Sequence, residues 1–361
     1  MQTYQKDIGM TKRIVIMAGG TGGHIFPALA VAQELKQAGW QVSWMGTHAG
    51  LESRVIPENG IDIDWLSVSG LRGKGLLSKF TAIFKLLKSC IEAAKILRQR
   101  RPHVVLGMGG FVAAPGGLMA KVLGIPLIIH EQNRVVGTTN KLLAKMATRV
   151  LEGFPNSFSP KFHAICTGNP LRKAILDKAL EPHPLENTSL NVLVVGGSQG
   201  AKILNEVVPQ ALSQINSPVT IYHQTGVAMQ SDVAAHYAKL NVKANVQAFI
   251  DDMASAYVWA DLIICRAGAM TVSEVSAMVL SAIFIPLPNA IDDHQTHNAH
   301  YLTQVNAAIL LKQADLTAQT LVDAIQQLSE NLPQRRAIAQ SFAYLDATVD
   351  VAKFCISEAK A

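Results

Sequence analysis

Two short apolar runs, half a chain apart, each break into a glycine turn and then a helix-like pattern, and nothing else limits the fold as tightly. The first spans residues 13–35, RIVIMAGGTGGHIFPALAVAQEL. Residues 14–17 are apolar and partly β-branched, which reads as a buried strand. Gly19-Gly20-Thr21-Gly22-Gly23 follows, and then Ile25, Leu29, Ala32 and Leu35 recur on one helical face. Pro27 falls in the first helical turn, where its missing N–H costs little, and Gly39 marks the far end. The second run, NVLVV at 191–195, leads into Gly196-Gly197-Ser198-Gln199-Gly200. Two such units predict two similar domains with a cleft between them.

Strand, glycine turn and helix together open a nucleotide-binding α/β domain. Glycine lets the backbone approach a ligand closely, and the helix N-terminus offers N–H groups to oxygen anions. The turn at 19–23 is not the dinucleotide fingerprint, and no Gly-Lys-Ser/Thr follows to make a P-loop. His24 stands where the turn enters the helix. Either it sits at the surface of the helix start, or it reaches above the strand ends as a group titrating near neutrality.

The chain's 361 residues suit two domains, and 49% hydrophobic against 16% charged residues excludes a disordered chain. Its four cysteines, Cys90, Cys166, Cys265 and Cys355, are too dispersed for a metal site and read as reduced thiols. Residues 1–11 are polar, lack the apolar stretch of a secretion signal, and read as a disordered leader. No transmembrane helix stands out, so any membrane contact is peripheral.

The net charge of +6 is concentrated. Between Leu71 and Arg101 stand nine basic residues and one acid, Glu92, an excess larger than that of the whole chain. Leu76, Leu77, Phe80, Ile83, Phe84, Leu86, Leu87 and Ile91 interleave with the lysines. An amphipathic helix with a cationic flank suits an anionic bilayer surface. On the other reading Ile83, Leu87 and Ile91 face the core and the lysines are solvated. Phe80 and Phe84 are the aromatic residues here, too few to stack bases, so no nucleic acid is expected.

Further along, 41–46 reads as a strand and 61–68 as an alternating one. Asp62 and Asp64 in the latter form a DxD pattern on one face, read as solvated rather than metal-binding. Strands at 104–108 and 126–130 follow, the second ending in His130-Glu131-Gln132-Asn133, four polar residues at the edge where open α/β sheets place ligands. The turn at 167–170 marks the domain boundary. In the second half a helix is interrupted or restarted at Pro209. A strand at 262–265 leads to a helix at 270–278 carrying Thr271, Ser273 and Glu274. Residues 289–297, NAIDDHQTH, form a polar loop before a helix at 298–305, and another helix closes the chain at 346–361.

In order, RIVIMAGGTGGH (13–24), SGLRGKG (69–75), VLGMGGF (105–111), HEQN (130–133), GNPLR (168–172), VLVVGGSQGAKILN (192–205), FIDDM (249–253) and CRAGAMTVSE (265–274) resemble the MurG-type N-acetylglucosaminyltransferases of peptidoglycan synthesis. That resemblance implies a GT-B fold, two Rossmann-like α/β domains facing across a cleft. It implies an acceptor domain over 12–168, joined by the helix 346–361, and a donor domain over 169–345. The activity implied is inverting transfer of GlcNAc from UDP-GlcNAc to the MurNAc C4 hydroxyl of lipid I, the undecaprenyl-pyrophosphoryl-MurNAc-pentapeptide. By the same resemblance Ile250 meets the uracil through its backbone and Arg172 lies near the nucleotide. Ser198 bonds the diphosphate. Ala269, Met270, Thr271, Val272, Ser273 and Glu274 wrap ribose and diphosphate, and Gln295 touches the sugar, unless a one-residue shift hands that contact to His294. Thr21, Gly22, Gly23 and Asn133 reach the GlcNAc. His24 is the first candidate for the base, with Glu131 as partner or substitute. Helix N-termini can stabilise the leaving diphosphate, so no metal and no cofactor are expected. The implied location is the cytoplasmic face of the bacterial inner membrane, with cell-wall and division machinery as partners. A glycolipid transferase with another acceptor, or a UDP-GlcNAc 2-epimerase, would share this fold.

Overall fold

A computed structural model describes residues 11–68, 76–181, 189–197 and 199–359, with side chains of the helix Leu76–Arg100 described from Phe84 onward. The chain divides into two compact units, 1–172 with 346–361, and 173–345. The division falls after Arg172, four residues beyond residue 168, where the first domain is expected to end. Asn169 Nδ2 donates to the Gln132 carbonyl and Thr348 Oγ1 to that of Leu171, tying 169–171 to the first unit.

Among the described residues the first unit holds seven parallel strands: β1 (Arg13–Met17), β2 (Gln41–Gly46), β3 (Asp62–Trp65), β4 (Val104–Gly107), β5 (Leu127–Glu131), β6 (Arg149–Glu152) and β7 (Ile165–Cys166). They lie in the order β3-β2-β1-β4-β5-β6-β7. Alternation feeds two cores. Ile14 and Ile16 of β1 enter a cluster with the helix Gly22–Gln37 and the C-terminal helix Ala347–Ser357. Val15 and Met17 enter another with Ala93, Leu97, Ala113 and Leu143. Both faces of this parallel sheet are thus covered.

The second unit repeats the plan with β8 (Leu190–Val195), β9 (Val219–Gln224), β10 (Ala244–Gln247), β11 (Leu262–Cys265), β12 (Ser281–Phe284) and β13 (Ala308–Leu310), in the order β10-β9-β8-β11-β12-β13. In both sheets the order reverses beside the first strand. Such a switch point, outside the carboxyl ends of the strands, is where open α/β sheets bind ligands. The turn after β1 and the turn after β4 meet there. A Cβ on Gly110, whose φ is +79°, would collide with the Gly19 carbonyl oxygen, so this approach requires glycine.

Several elements depart from the sequence reading. The alternating run at 61–68 pairs only over Asp62–Trp65. The Arg100 guanidinium bonds both Asp62 and Asp64, so the DxD carboxylates hold a cation of the chain itself. The helix Lys202–Leu212 runs through Pro209 without a break. The long basic helix Leu76–Arg100 turns Ser89, Cys90, Ala93 and Leu97 inward, whereas Phe84, Leu87 and Ile91 are exposed. Leu87 and Ile91 therefore do not face the core. Small side chains let the helix lie close against Ala113–Val122, and the larger apolar ones are left outside. Ile83 and the glycine loop 69–75 carry readings that lie outside what the structure describes.

Candidate active site

In the first unit, Thr21 takes extended backbone angles as N-cap of the helix Gly22–Gln37, and its side chain makes no capping bond. Gly22 and Gly23 form the first turn. The turn before them is held by a buried carboxylate: Glu52 accepts from the Gly20 amide (3.1 Å), the Thr47 amide (3.0 Å) and the Thr47 hydroxyl (2.8 Å). Trp44 Nε1 donates to the Ala18 carbonyl at the strand exit. Neither Glu52 nor Trp44 carries a motif signal, because each acts through a distant turn.

His24 is half-buried, and its Nδ1 lies 2.8 Å from Gln132 Oε1. Gly109, in the turn after β4, backs the imidazole closely enough that a Cβ there would stand 3.1 Å from the ring. His24, Gln132 and the paired glycine turns thus share the switch point of the first sheet. Glu131 is 2% exposed and does different work. Its carboxylate accepts from the Asn133 amide and side chain, the Gly137 amide and Asn140 Nδ2, all within 3.0–3.2 Å. Each Glu131 oxygen thus accepts two donors from the chain itself. Glu131 organises the loop that presents Asn133. Arg172 also belongs to the first unit, its guanidinium over the Phe26 ring at 5.5 Å.

The second unit gathers Ile250, 269–274 and Gln295. Ser198, the expected diphosphate contact, lies outside the described residues, but both of its neighbours are placed. Gln224, at the end of β9, donates to the Gly197 carbonyl (2.9 Å) and accepts from the Ile250 amide (3.0 Å). One side chain therefore ties the second glycine turn to the expected uracil contact, a role missed in the sequence because Gln224 is the last residue of an ordinary-looking strand. Gly200, φ +74°, packs so tightly on the Thr225 carbonyl that no Cβ fits.

The helix Ala269–Ala277 starts from Gly268 with no side-chain cap. Its first turn exposes Met270, Thr271 and Ser273 in part, whereas Val272 is wholly buried in the core. Val272 can meet a ligand only through its backbone. Glu274 is 7% exposed and accepts from the Tyr257 hydroxyl at 2.9 Å. The loop expected at 289–297 is partly helical, since the helix His294–Thr303 begins inside it. Gln295 Oε1 accepts from the Leu287 amide (2.9 Å) and the Ala267 amide (3.3 Å), joining the exits of β11 and β12. His294, the alternative, bonds back to the Ile291 carbonyl of its own turn. Among the described residues no group of three or more His, Cys, Asp or Glu side chains could hold a metal ion.

Residues 14–152 match the glycosyltransferase family 28 N-terminal domain, and residues 191–350 match the glycosyltransferase family 28 C-terminal domain. A curated protein of Methylococcus capsulatus, named a UDP-N-acetylglucosamine–N-acetylmuramyl-(pentapeptide) pyrophosphoryl-undecaprenol N-acetylglucosamine transferase, is 55% identical over 98% of this chain and 100% of its own length. The chain belongs to the MurG-type branch of glycosyltransferase family 28. The crystal structure of Acinetobacter baumannii MurG is 41% identical, covers 96% of this chain and 99% of its own, and superposes with a TM-score of 0.83. A UDP-GlcNAc 2-epimerase from Neisseria meningitidis, 12% identical over 96% of this chain and 100% of its own, with a TM-score of 0.67, shares the fold alone. The family 28 chain is thus an α/β glycosyltransferase of GT-B fold. Its two glycine turns, after β1 and after β8, fall one in each family domain.

Proposed function

We propose that this chain transfers GlcNAc from UDP-GlcNAc to the C4 hydroxyl of MurNAc in lipid I, forming lipid II. The observation that carries this reading is the full-length likeness to the Methylococcus transferase, 55% over 98% of the chain. The second unit receives the nucleotide. Gln224 occupies the Ile250 amide, so the Ile250 carbonyl is the backbone group left to meet the uracil ring N–H. The uncapped N-terminus of Ala269–Ala277 faces the diphosphate and spreads its developing charge. Glu274 takes the ribose hydroxyls, and Gln295 and Ser198 take sugar and diphosphate. In the first unit, Thr21, Gly22, Gly23 and Asn133 hold the GlcNAc, and Arg172 lies near the nucleotide.

Chemistry follows in one displacement. The C4 oxygen attacks the anomeric carbon, its proton passes to His24, the bond to the diphosphate breaks, and the configuration inverts. UDP carries the electron pair away, with neither metal nor covalent intermediate. Lipid I is reached at a membrane face. Among the described residues no helix is long and apolar enough to cross a bilayer. Phe84, Leu87 and Ile91 are exposed on one helix, and Leu118 and Val122 on its neighbour, beside Lys85, Lys88 and Lys121. This greasy, cationic surface suits the anionic inner face of the bacterial inner membrane.

Labelled GlcNAc supplied as UDP-GlcNAc with a soluble lipid I analogue tests the reading. Transfer to the analogue is expected, with no sugar released when it is omitted. His24→Ala is expected to lower kcat by about 10²–10⁴-fold with UDP-GlcNAc binding intact. Near-normal turnover in that variant would remove His24 as the base.

A further inference from the structure

Two carbonyl oxygens, which can only accept, set the direction of a hydrogen-bond chain that ends on His24. The Gly168 carbonyl lies 2.9 Å from His130 Nε2, so that nitrogen carries hydrogen. His130 is wholly buried, and burial drives its pKa down to about 4, so the ring is neutral and Nδ1 holds a lone pair. Gln132 Nε2 lies 3.0 Å from that Nδ1 and 3.1 Å from the His130 carbonyl oxygen. Both partners are acceptors, which fixes the amide orientation and commits both its hydrogens. The Gln132 oxygen therefore faces His24 Nδ1 at 2.8 Å and can only accept, so His24 Nδ1 carries a hydrogen. The lone pair of neutral His24 is left on Nε2, which has no partner among the described residues.

We propose that Gln132 is the positioning residue that locks His24 in its Nδ1–H tautomer, so that Nε2 is the atom that takes the acceptor hydroxyl's proton. The catalytic half of this rests on the reading of His24 as base; the tautomer does not. The amide is suited to the place because it accepts at one end and donates at the other. A carboxylate there would hold His24 equally well but would set oxygen against the two His130 acceptors. Orientation is thus imposed without a charge beside the imidazole. An untethered imidazole favours the other tautomer, with its proton on Nε2, so the lock is needed for the base to work.

Long-range ¹H–¹⁵N correlation spectra of the full-length, histidine-labelled protein at alkaline pH read the tautomer directly. The His24 signals are assigned by their loss in His24→Ala. Expected are a protonated Nδ1 and an unprotonated Nε2 in the natural chain. In Gln132→Leu the proton moves to Nε2, and kcat falls by at least ~10-fold while KM for UDP-GlcNAc stays within about twofold. A proton on Nε2 of the natural protein overturns the role of Gln132, whether or not Gln132→Leu folds. An unchanged His24 tautomer in folded Gln132→Leu overturns it too. Full turnover in His24→Ala overturns the base assignment instead, whatever tautomer the spectra record.

Discussion

His130 and His223 are buried imidazoles near the carboxyl ends of β5 and β9, each neutral because no charged form could be solvated there. Burial lowers the pKa of His130 to about 4 and that of His223 to about 3. His223 is bonded on both nitrogens, Nδ1 to the Tyr237 hydroxyl and Nε2 to Asn205 Oδ1. In the unfolded chain both would titrate near the ordinary histidine value of 6.5. Below that pH the unfolded state binds protons that the folded state does not, so stability falls as pH drops from 6.5 toward the folded values. At pH 5 the loss is about 2 kcal/mol for each histidine. The urea midpoint is expected to be lower at pH 5 than at pH 7.5, and the difference to shrink in His223→Gln. A midpoint that does not move would refute this account.

The basic helix Leu76–Arg100 carries two candidate inner faces, and only packing separates them. Ala93 has no exposed surface and Leu97 has 1%, whereas Ile91 is 72% exposed. Ala93→Leu is expected to overpack the contact with Ala113–Val122 and to cost about 1–3 kcal/mol of stability in denaturant. Ile91→Ser is expected to leave stability within about 0.5 kcal/mol and to weaken binding to vesicles rich in anionic lipid. That binding falls with salt, because exposed charges are screened over about 10 Å at 0.1 M. Equal vesicle binding by Ile91→Ser and the natural chain would show that this face does not meet lipid.

At the scale of the molecule, the chain leaves its first unit after Arg172 and returns at Asp346. Val351, Ala352 and Cys355 of the last helix are buried against the helix Gly22–Gln37, and burial raises the Cys355 thiol pKa out of reach of oxidation by a thiolate route. Glu358 pairs with Arg149 of β6. The first unit's core is therefore completed by residues that follow the whole second unit in the chain. A chain ending at residue 345 is expected to lose hydrogen-exchange protection in Gly22–Gln37 and β1, while β8, β9 and β11 keep theirs. Loss spread evenly over both units would contradict that division. The returning helix also binds the fates of the two units during synthesis, since 173–345 must be made before the first core can close.

Much of this fold is written in local pattern. Strand, glycine turn and helix are short-range features, and the run of residues from β1 to Leu35 declares all three, as does the repeat at β8. Motif order likewise pointed to the family, because glycine turns and strand ends keep their chemistry in the linear text. Three-dimensional contact decided the rest. The apolar stripe of Leu87 and Ile91 fits a helix period as well as Cys90, Ala93 and Leu97 do, and only the neighbouring helix selects between them. Glu131 and Gln132 are adjacent and equally polar in the sequence. One is saturated by four donors from its own loop, while the other reaches 2.8 Å from a histidine more than a hundred residues away. Which donor meets which acceptor depends on distances of ångströms between segments far apart in the chain, and a linear order of residues carries no such distances.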